Sequence, residues 1–258
     1  MDYKPERALG PLSDWTVPQA WFGHFYAVGA GWTALIGPLF LRSASYSSLG
    51  SWGQATFLVA ILLLEFHLVR RLLETTLLMR YPPGARMHGI AYLFGLSYYL
   101  VVPLTVLPEG AVADVYGVLK RPQQLQQPLP APALVVAALT SLQWAGVGAF
   151  FAGNLLQWHS HKLLAGLAPK LEGPGAKPAY KVPYGGGFDL VSCPHYLGEI
   201  VIYAGLLLAE GGNRLLMWLM LGWVLSNLLL AGGLTHRWYK KRFKAYPKDR
   251  RAILPFVY

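Results

Sequence analysis

Apolar residues dominate six stretches of the chain, and polar residues gather in the connections between them. The stretches cover residues 19–41, 54–79, 87–107, 132–156, 195–210 and 214–235. Most of them reach the roughly 20 residues that an α-helix needs to cross the hydrocarbon core of a bilayer. The pattern predicts an all-α fold: a polytopic transmembrane helix bundle of about six spans, forming a single domain over residues 1–258.

The charge distribution supports this architecture and indicates an orientation. Charged residues make up only 13% of the chain, against about 25% in soluble domains. Lys and Arg number 22, and with both termini in the cytosol only four of them, Arg42, Lys120, Arg121 and Arg214, fall on the far side. This positive-inside bias accounts for the basic balance. We therefore expect membrane lipids, and not nucleic acid, as partners.

The second stretch carries ionisable residues within an apolar helix. Helical spacing places His67, Arg70, Arg71 and Glu74 on one face. Ionisable groups inside a membrane usually face the bundle interior or a wet cavity. One interpretation is a structural Arg70–Glu74 ion pair with arginines that reach towards the interface. The other is a cationic wall for a phosphate or pyrophosphate.

Further polar groups flank the long connection between the fourth and fifth stretches. Before it come Gln157 and His161, and the fifth stretch opens at Pro194 near what is expected to be a helix N-terminus. Such an end presents free N–H groups to an anion. The single cysteine is Cys193, and the histidine pair 159 and 161 has no acidic or cysteine partner nearby. We therefore expect no metal site.

A dense basic and aromatic segment follows the last apolar stretch directly. Residues 236–251 read His-Arg-Trp-Tyr-Lys-Lys-Arg-Phe-Lys-Ala-Tyr-Pro-Lys-Asp-Arg-Arg. An aliphatic helix that ends in this way is typical of a cytosolic membrane interface. Its cations can also receive phosphates. The combination indicates a membrane protein that handles an anionic cofactor at its cytosolic face.

Several motifs occur in a specific order along nearly the whole chain. They include Val17-Pro18-x-x-Trp21-Phe22-x-His24-Phe25-Tyr26, His67-x-x-Arg70-Arg71-Leu72-x-Glu74, Tyr92-x-Phe94-Gly95-Leu96-x-Tyr98-Tyr99, Val191-Ser192-x-Pro194-x-Tyr196-Leu197-x-Glu199 and Tyr239-Lys240-x-x-Phe243-x-x-Tyr246-Pro247-Lys248-x-Arg250. In these motifs the chain resembles the steroid 5α-reductase superfamily, and more specifically its polyprenol (polyprenal) reductase branch.

The resemblance implies an endoplasmic-reticulum membrane enzyme that takes hydride from NADPH and reduces a carbon–carbon double bond conjugated to a carbonyl. In the polyprenol branch the substrate is a polyprenoid lipid, polyprenal or polyprenol, and the product feeds dolichol synthesis and so protein N-glycosylation. Cytosolic loops and the C-terminal segment form the cofactor pocket in this family. The cofactor-binding residues implied here are Arg71, Gln157, His161, Lys181, His195, Glu199, His236, Tyr239 and Arg250.

Some positions depart from the family pattern. Six spans are visible where the family has seven. His195 stands where members often carry Asn, and Lys181 stands where an Arg is expected, which keeps the charge but loses the bidentate fork. Phe25 and Leu68 occupy the positions of the Glu and Tyr that hold the ketone in steroid-reducing members. These last two departures favour a polyprenoid substrate.

The proton donor must therefore be sought elsewhere. Hydride addition to the β-carbon of an enal moves negative charge onto the aldehyde oxygen, and a donor in a dry pocket stabilises it. We predict His67 with His24 for this role, and Tyr26 is a further candidate. One alternative function is a steroid 3-oxo-5α 4-dehydrogenase or another conjugated-enone or enoyl reductase. A more distant one is a non-enzymatic lipid transporter, although the chain lacks the internal repeats common among transporters.

Overall fold

A computed structural model describes residues 14–82, 84–120, 131–168 and 180–258. Helices dominate these residues, which confirms the predicted all-α class. In chain order the elements are β1 (Thr16–Pro18), α1 (Phe22–Leu41), α2 (Ala44–Ser48), α3 (Ser51–Leu73), β2 (Arg86–His88), α4 (Gly89–Val106), α5 (Ala111–Lys120), α6 (Pro132–Ala138), α7 (Ser141–Gly166), α8 (Pro194–Ala209) and α9 (Leu215–Arg242). One π-helical turn, Glu74–Leu78, continues α3. The two strands form a short antiparallel pair.

Each predicted apolar stretch contains a helix, but fewer than six qualify as membrane spans. Among the described residues, Gln19–Leu41, Gly89–Val106 and Leu215–Arg242 are long and apolar enough to cross a membrane. Helices α6 and α7 qualify together as a bent pair, which raises the number to four at most. The predicted number of six is therefore higher than length and composition support. Helix α8, for example, has only 16 residues.

The fourth predicted stretch differs from the structure because its helix is broken. A bend of 107° separates α6 from α7. Thr140 caps α7: its side chain accepts from the backbone of Gln143, while the Gln143 side chain accepts from the Thr140 N–H. This reciprocal capping starts a new helix at Ser141. Helix α7 then runs to Gly166, past the predicted end at residue 156, and so carries Gln157 and His161.

Helix α9 also extends further than predicted. It continues from the apolar stretch into the basic segment and ends at Arg242. Its last turn contains Lys240, Lys241 and Arg242, and cations are favourable at a helix C-terminus because they oppose the negative end of the helix dipole.

Helices α7 and α8 pack with their backbones in close contact. A Cβ atom on Gly198 would lie 2.9 Å from both Gln157 N and Gly153 O, a separation that real side chains do not tolerate. Glycine at this position therefore lets the two helices approach closely. The approach brings Gln157 of α7 opposite Glu199 of α8.

Candidate active site

Two arginines and a glutamate at the end of α3 form the centre of a buried polar cluster. Arg71 Nη1 donates to Glu74 Oε2 at 2.6 Å, and Arg70 bonds the other oxygen of the same carboxylate. Arg71 also donates from Nε and Nη2 to the Tyr26 hydroxyl, at 3.1 and 2.8 Å. Buried charges are tolerated when they are paired and hydrogen-bonded. The predicted Arg70–Glu74 pair is confirmed.

His161 of α7 joins this cluster. Its Nδ1 lies 2.8 Å from Glu74 Oε2 and 2.9 Å from Arg71 Nη1. The tautomer with a proton on Nδ1 donates to Glu74, whereas the other tautomer accepts from Arg71. In both cases groups from α3 and the turn after it hold the imidazole in place.

Helices α7 and α8 supply the second half of the cluster. Arg70 Nε donates to Asn154 Oδ1 at 2.7 Å, and Arg70 Nη2 donates to the side-chain oxygen of Gln157. The Gln157 amide nitrogen donates in turn to Glu199 Oε2 and, at 3.3 Å, to His195 O. The amide of Gln157 therefore connects an arginine on α3 with a glutamate on α8, and both ends of the amide are fixed.

His67 lies between the two halves and is 1% exposed. Arg70 Nη2 donates to its Nδ1 at 3.2 Å, so the proton of a neutral ring resides on Nε2. That Nε2 is 3.4 Å from Glu199 Oε1 but lacks the alignment of a hydrogen bond. His67 thus contacts Arg70 through a hydrogen bond and approaches Glu199 without one.

A cavity of about 530 Å³ reaches the polar cluster. The polar groups at its inner end come from α1, α3, α7 and α8, and they are Tyr26, Arg71, Gln157, His161, His195 and Glu199. Much of the remaining wall is aromatic or aliphatic, with Phe25 and Tyr99 prominent. His195 Nδ1 is buried and has no hydrogen-bond partner among the described residues. The cavity therefore offers polar groups at one end and an apolar wall along the rest.

A second polar cluster joins α9 to the segment that follows it. Ser192 Oγ lies 2.6 Å from His236 Nδ1 and also 2.6 Å from the Tyr246 hydroxyl. The rings of Tyr239 and Tyr246 stack at 5.3 Å between centroids. These contacts fold the C-terminal segment back against the start of α8.

Arg250 ties the same segment to the loop before α8. It is 3% exposed, and its Nη1 donates to Pro183 O at 2.9 Å. Its guanidinium lies 4.7 Å from the ring centre of Tyr184. Its Nε is buried without a hydrogen-bond partner in the part of the chain that the structure describes. Lys181 lies in this loop and is exposed.

The structure divides the predicted cofactor residues between two places. Those that line the cavity are Arg71, Gln157, His161, His195 and Glu199. The other four are Lys181, His236, Tyr239 and Arg250, and they lie in or beside the second cluster. The two places are neighbours, because Ser192 of the second cluster lies three residues before His195 of the cavity.

The predicted donor pair does not meet at the cavity. Tyr26 lines it, His67 is buried behind it, and His24 is exposed on another side of α1 with its Nδ1 2.9 Å from the Tyr92 hydroxyl. Residues 24 and 26 of one helix point in different directions because successive residues rotate about 100°. Of the three candidate donors, Tyr26 is therefore the one that lines the cavity.

Comparison with known proteins identifies the family. A sequence profile described as 3-oxo-5-alpha-steroid 4-dehydrogenase matches residues 135–258. Two Arabidopsis thaliana proteins, polyprenal reductases 1 and 2, are 37% and 35% identical to the chain. Their alignments cover 98% of this chain and 85% and 86% of the relatives. The chain belongs to the steroid 5α-reductase family. The polyprenal reductase of Danio rerio is a further relative, 34% identical over 92% of this chain and 78% of its own.

The resemblance to the polyprenal reductase branch of the steroid 5α-reductase family is thereby confirmed. The candidate membrane helices mark this family member as a membrane protein. Among its cavity residues, sequence reasoning assigned no role to Tyr98 or Tyr99. Both lie in one of the quoted motifs, so the motif itself pointed to them.

Proposed function

We propose that this protein uses NADPH to reduce the α,β double bond of polyprenal at the endoplasmic-reticulum membrane, and that the product enters dolichol synthesis for protein N-glycosylation. The observation that carries the proposal is a cavity, among the described residues, that joins a hydrogen-bonded polar end to an aromatic and aliphatic wall. A polyprenyl aldehyde has this same division between a reactive polar head and an apolar tail. Relatives over most of the chain bear the name polyprenal reductase.

The groups at the cavity suit the uncharged part of the cofactor. Arg70 and Arg71 are matched by Glu74 and Glu199, so this end carries no excess positive charge for a phosphate. A nicotinamide ring with its carboxamide needs hydrogen bonds and no counter-charge. The buried His195 Nδ1, which lacks a partner in the described chain, is available for such a bond.

The second cluster suits the phosphates. Lys181 is exposed in the loop held by Arg250, and Lys240 and Lys244 are exposed at and beyond the end of α9. Exposed lysines bind phosphates as point charges. In the proposal the dinucleotide extends from this cationic surface, past His236, to the polar end of the cavity, with both termini of the protein in the cytosol.

Tyr26 is assigned as the group that stabilises the aldehyde oxygen. NADPH, when bound, supplies hydride to the β-carbon of the enal. The Tyr26 oxygen accepts two hydrogen bonds from Arg71, and its own O–H takes part in neither of them, so in this proposal the O–H donates to the substrate. Donation to the aldehyde oxygen stabilises the negative charge that develops there. A proton added at the α-carbon then completes the saturated aldehyde.

Glu74 and the apolar wall support this donor. Glu74 holds Arg71 through a hydrogen bond of 2.6 Å, and Arg71 in turn holds the Tyr26 oxygen. The Phe25 and Tyr99 rings line this region of the cavity, and an apolar lining strengthens the electrostatic interactions of the polar groups beside it.

A polyprenoid substrate is favoured over a steroid. Phe25 lines the cavity with an apolar ring, and Leu68 is fully buried in the core. Neither side chain can donate a hydrogen bond to a steroid ketone. A steroid ketone would therefore lack the two groups that hold it in the steroid-reducing members.

A product assay tests the reaction. The purified protein in lipid nanodiscs would receive NADPH deuterated at its transferable hydrogen together with polyprenal, polyprenol or a testosterone-like enone. We expect deuterium at the β-carbon of polyprenal with the aldehyde retained, and much slower turnover of the other two. Deuterium at the carbonyl carbon, or no consumption of NADPH with polyprenal, would overturn the proposal.

A binding titration tests the cofactor map. Fluorescence of NADPH should change on addition of the parent protein, and Lys181→Ala and Glu199→Gln should weaken that binding. Lys120→Ala is the matched control, because Lys120 is also an exposed lysine but lies at the end of α5, outside both clusters. Equal affinities in all four proteins would refute the map. A parent protein that does not bind NADPH would favour the lipid-transporter alternative.

A further inference from the structure

The cavity has a mouth on the outside of the bundle. Four residues line the cavity and are also exposed: Ala91 and Phe94 on α4, and Trp223 and Asn227 on α9. We call these four residues the α4–α9 mouth. Helices α4 and α9 are both candidate membrane spans, so an opening between their apolar parts faces hydrocarbon and not water.

We propose that the polyprenyl tail of the substrate passes through the α4–α9 mouth into the bilayer while its aldehyde is being reduced. This inference rests on the proposed function and adds to it a place for the tail. It makes Phe94 and Trp223 specificity-determining residues, because the tail must pass between them for as long as the head stays at Tyr26.

The rim of the mouth suits an unsaturated hydrocarbon chain. Phe94 is 52% exposed and Trp223 is 41% exposed, and their ring centroids are 5.1 Å apart. Aromatic faces at this depth offer apolar contact with few rotatable bonds. Two rings that meet across a gap can separate for a thin, flexible chain more easily than for a wide, rigid ring system.

An apolar path connects the rim with the proposed donor. The ring of Tyr99 lies 5.1 Å from the ring of Tyr26 and stacks on Phe25 at 6.0 Å. Phe25 in turn packs on the backbone of α4 at Gly95, where an added Cβ would lie 2.6 Å from the Phe25 ring. The bare backbone at Gly95 thus admits Phe25 into the wall between Tyr26 and the mouth.

A second apolar groove runs along the other side of α3 but does not lead to the donor. Its walls include Phe66, Leu73 and Trp158, and its polar groups are Glu65, Arg70 and Glu74. Tyr26 is absent from the residues that line this groove in the described chain. A tail lying there could not belong to an aldehyde placed at Tyr26.

Tail-length selectivity tests the mouth. Ala91→Trp narrows it, whereas Leu93→Trp places the same bulk at an exposed position of α4 that does not line the cavity. Each variant would be assayed with geranial, whose tail is short, and with a long polyprenal. We expect Ala91→Trp to lower kcat/KM for the long substrate about tenfold relative to geranial, and Leu93→Trp to leave the ratio unchanged.

Thiol labelling gives an independent measurement. The natural Cys193 is fully buried, so only an introduced, exposed thiol should react with maleimide. Asn227→Cys places a thiol in the mouth, and Ser226→Cys places one beside it on an exposed face that does not line the cavity. We expect a long polyprenol to slow maleimide labelling of Asn227→Cys but not of Ser226→Cys.

The outcomes separate the two proposals. A parent protein that reduces neither geranial nor polyprenal would refute the proposed function itself. A parent that reduces both, with an unchanged selectivity ratio in Ala91→Trp, would refute the mouth as the tail's path. Should Ala91→Trp fail to fold, the labelling decides: equal labelling of Asn227→Cys with and without polyprenol would likewise refute it.

Discussion

Replacing Tyr26 with Phe removes one oxygen atom from the centre of the site and leaves the ring in place. The oxygen is where Arg71 donates two hydrogen bonds, and its hydroxyl is the donor that we assign to the aldehyde oxygen. Loss of one such donor typically lowers kcat by about 10²- to 10³-fold. We expect a fall of this size, with NADPH affinity near that of the parent protein.

The same change should also lower stability. Arg71 is 6% exposed, and its Nε and Nη2 would both lose their acceptor. Each buried donor left without a partner costs about 1–3 kcal/mol, so we expect a loss of at least about 2 kcal/mol. For a chain of this size that corresponds to a Tm lower by roughly 4–8 °C.

Tyr46→Phe is the matched control for this variant. Tyr46 is 2% exposed, lies on α2 away from the cavity, and its hydroxyl has no hydrogen-bond partner among the described residues. Removing that oxygen should leave kcat unchanged and Tm equal or higher. Stopped-flow and steady-state assays with polyprenal give kcat, and thermal unfolding in detergent gives Tm.

One result would refute the reasoning about Tyr26. If Tyr26→Phe keeps kcat within about threefold of the parent while its Tm falls as expected, then the hydroxyl serves only to satisfy Arg71. The aldehyde oxygen would in that case need another donor, and His195 would be the next residue to change.

Three other changes test the remaining parts of the site. Glu74→Gln should lower the free energy of unfolding by about 3–5 kcal/mol, because it leaves Arg70 and Arg71 without their counter-charge. Glu65→Gln is the control, because Glu65 Oε2 has no hydrogen-bond partner in the described chain. Equal Tm values for the two variants would contradict the ion-pair argument. Burial raises the pKa of the Cys193 thiol to about 12, so iodoacetamide at about pH 8 should alkylate it only after denaturation; rapid labelling of the folded protein would show that the start of α8 is open. Arg250→Ala should raise the KM for NADPH several-fold, because it removes the hydrogen bond that holds the loop at Pro183. Arg251→Ala is the control, because the neighbouring Arg251 is exposed, and it should leave this KM unchanged. The same KM in both variants would refute the role of that loop.

The helices were predictable from the sequence because their apolar runs are long. Helices α1 and α4 begin and end within a few residues of the predicted stretches. The break before α7 was not predictable from hydrophobicity, since it depends on the reciprocal hydrogen bonds between Thr140, which caps α7, and Gln143. The end of α9 differs from the prediction because the predicted stretch ends where the basic segment begins. Cations in fact stabilise the last turn of a helix, and α9 continues to Arg242.

The candidate site was predictable only where local spacing decides contacts. The Arg70–Glu74 pair follows from residues four apart on one helix. The exposure of His24 could not be predicted in this way, because the sequence of α1 does not show which side of the helix packs inward. The division of the cofactor residues into two clusters could not be predicted from local spacing either. That division depends on the C-terminal segment turning back, with Ser192 N donating to Arg251 O at 2.8 Å.

The close approach of α7 and α8 was also hidden in the sequence, and it leads to a sharp prediction. In Gly198→Ala the new methyl group would meet backbone atoms of Gln157 and Gly153, so the helices must separate. The bonds from Gln157 to Glu199 and His195 would lengthen, and a shift of about 1 Å can cost about 10²-fold in rate. Gly148→Ala is the control on the facing helix α7, because a Cβ there meets open space and adds up to about 1 kcal/mol of helix propensity. We expect kcat/KM and Tm to fall in Gly198→Ala and to hold or rise in Gly148→Ala. Full activity in Gly198→Ala would mean that the fixed Gln157 amide is not needed for the reaction.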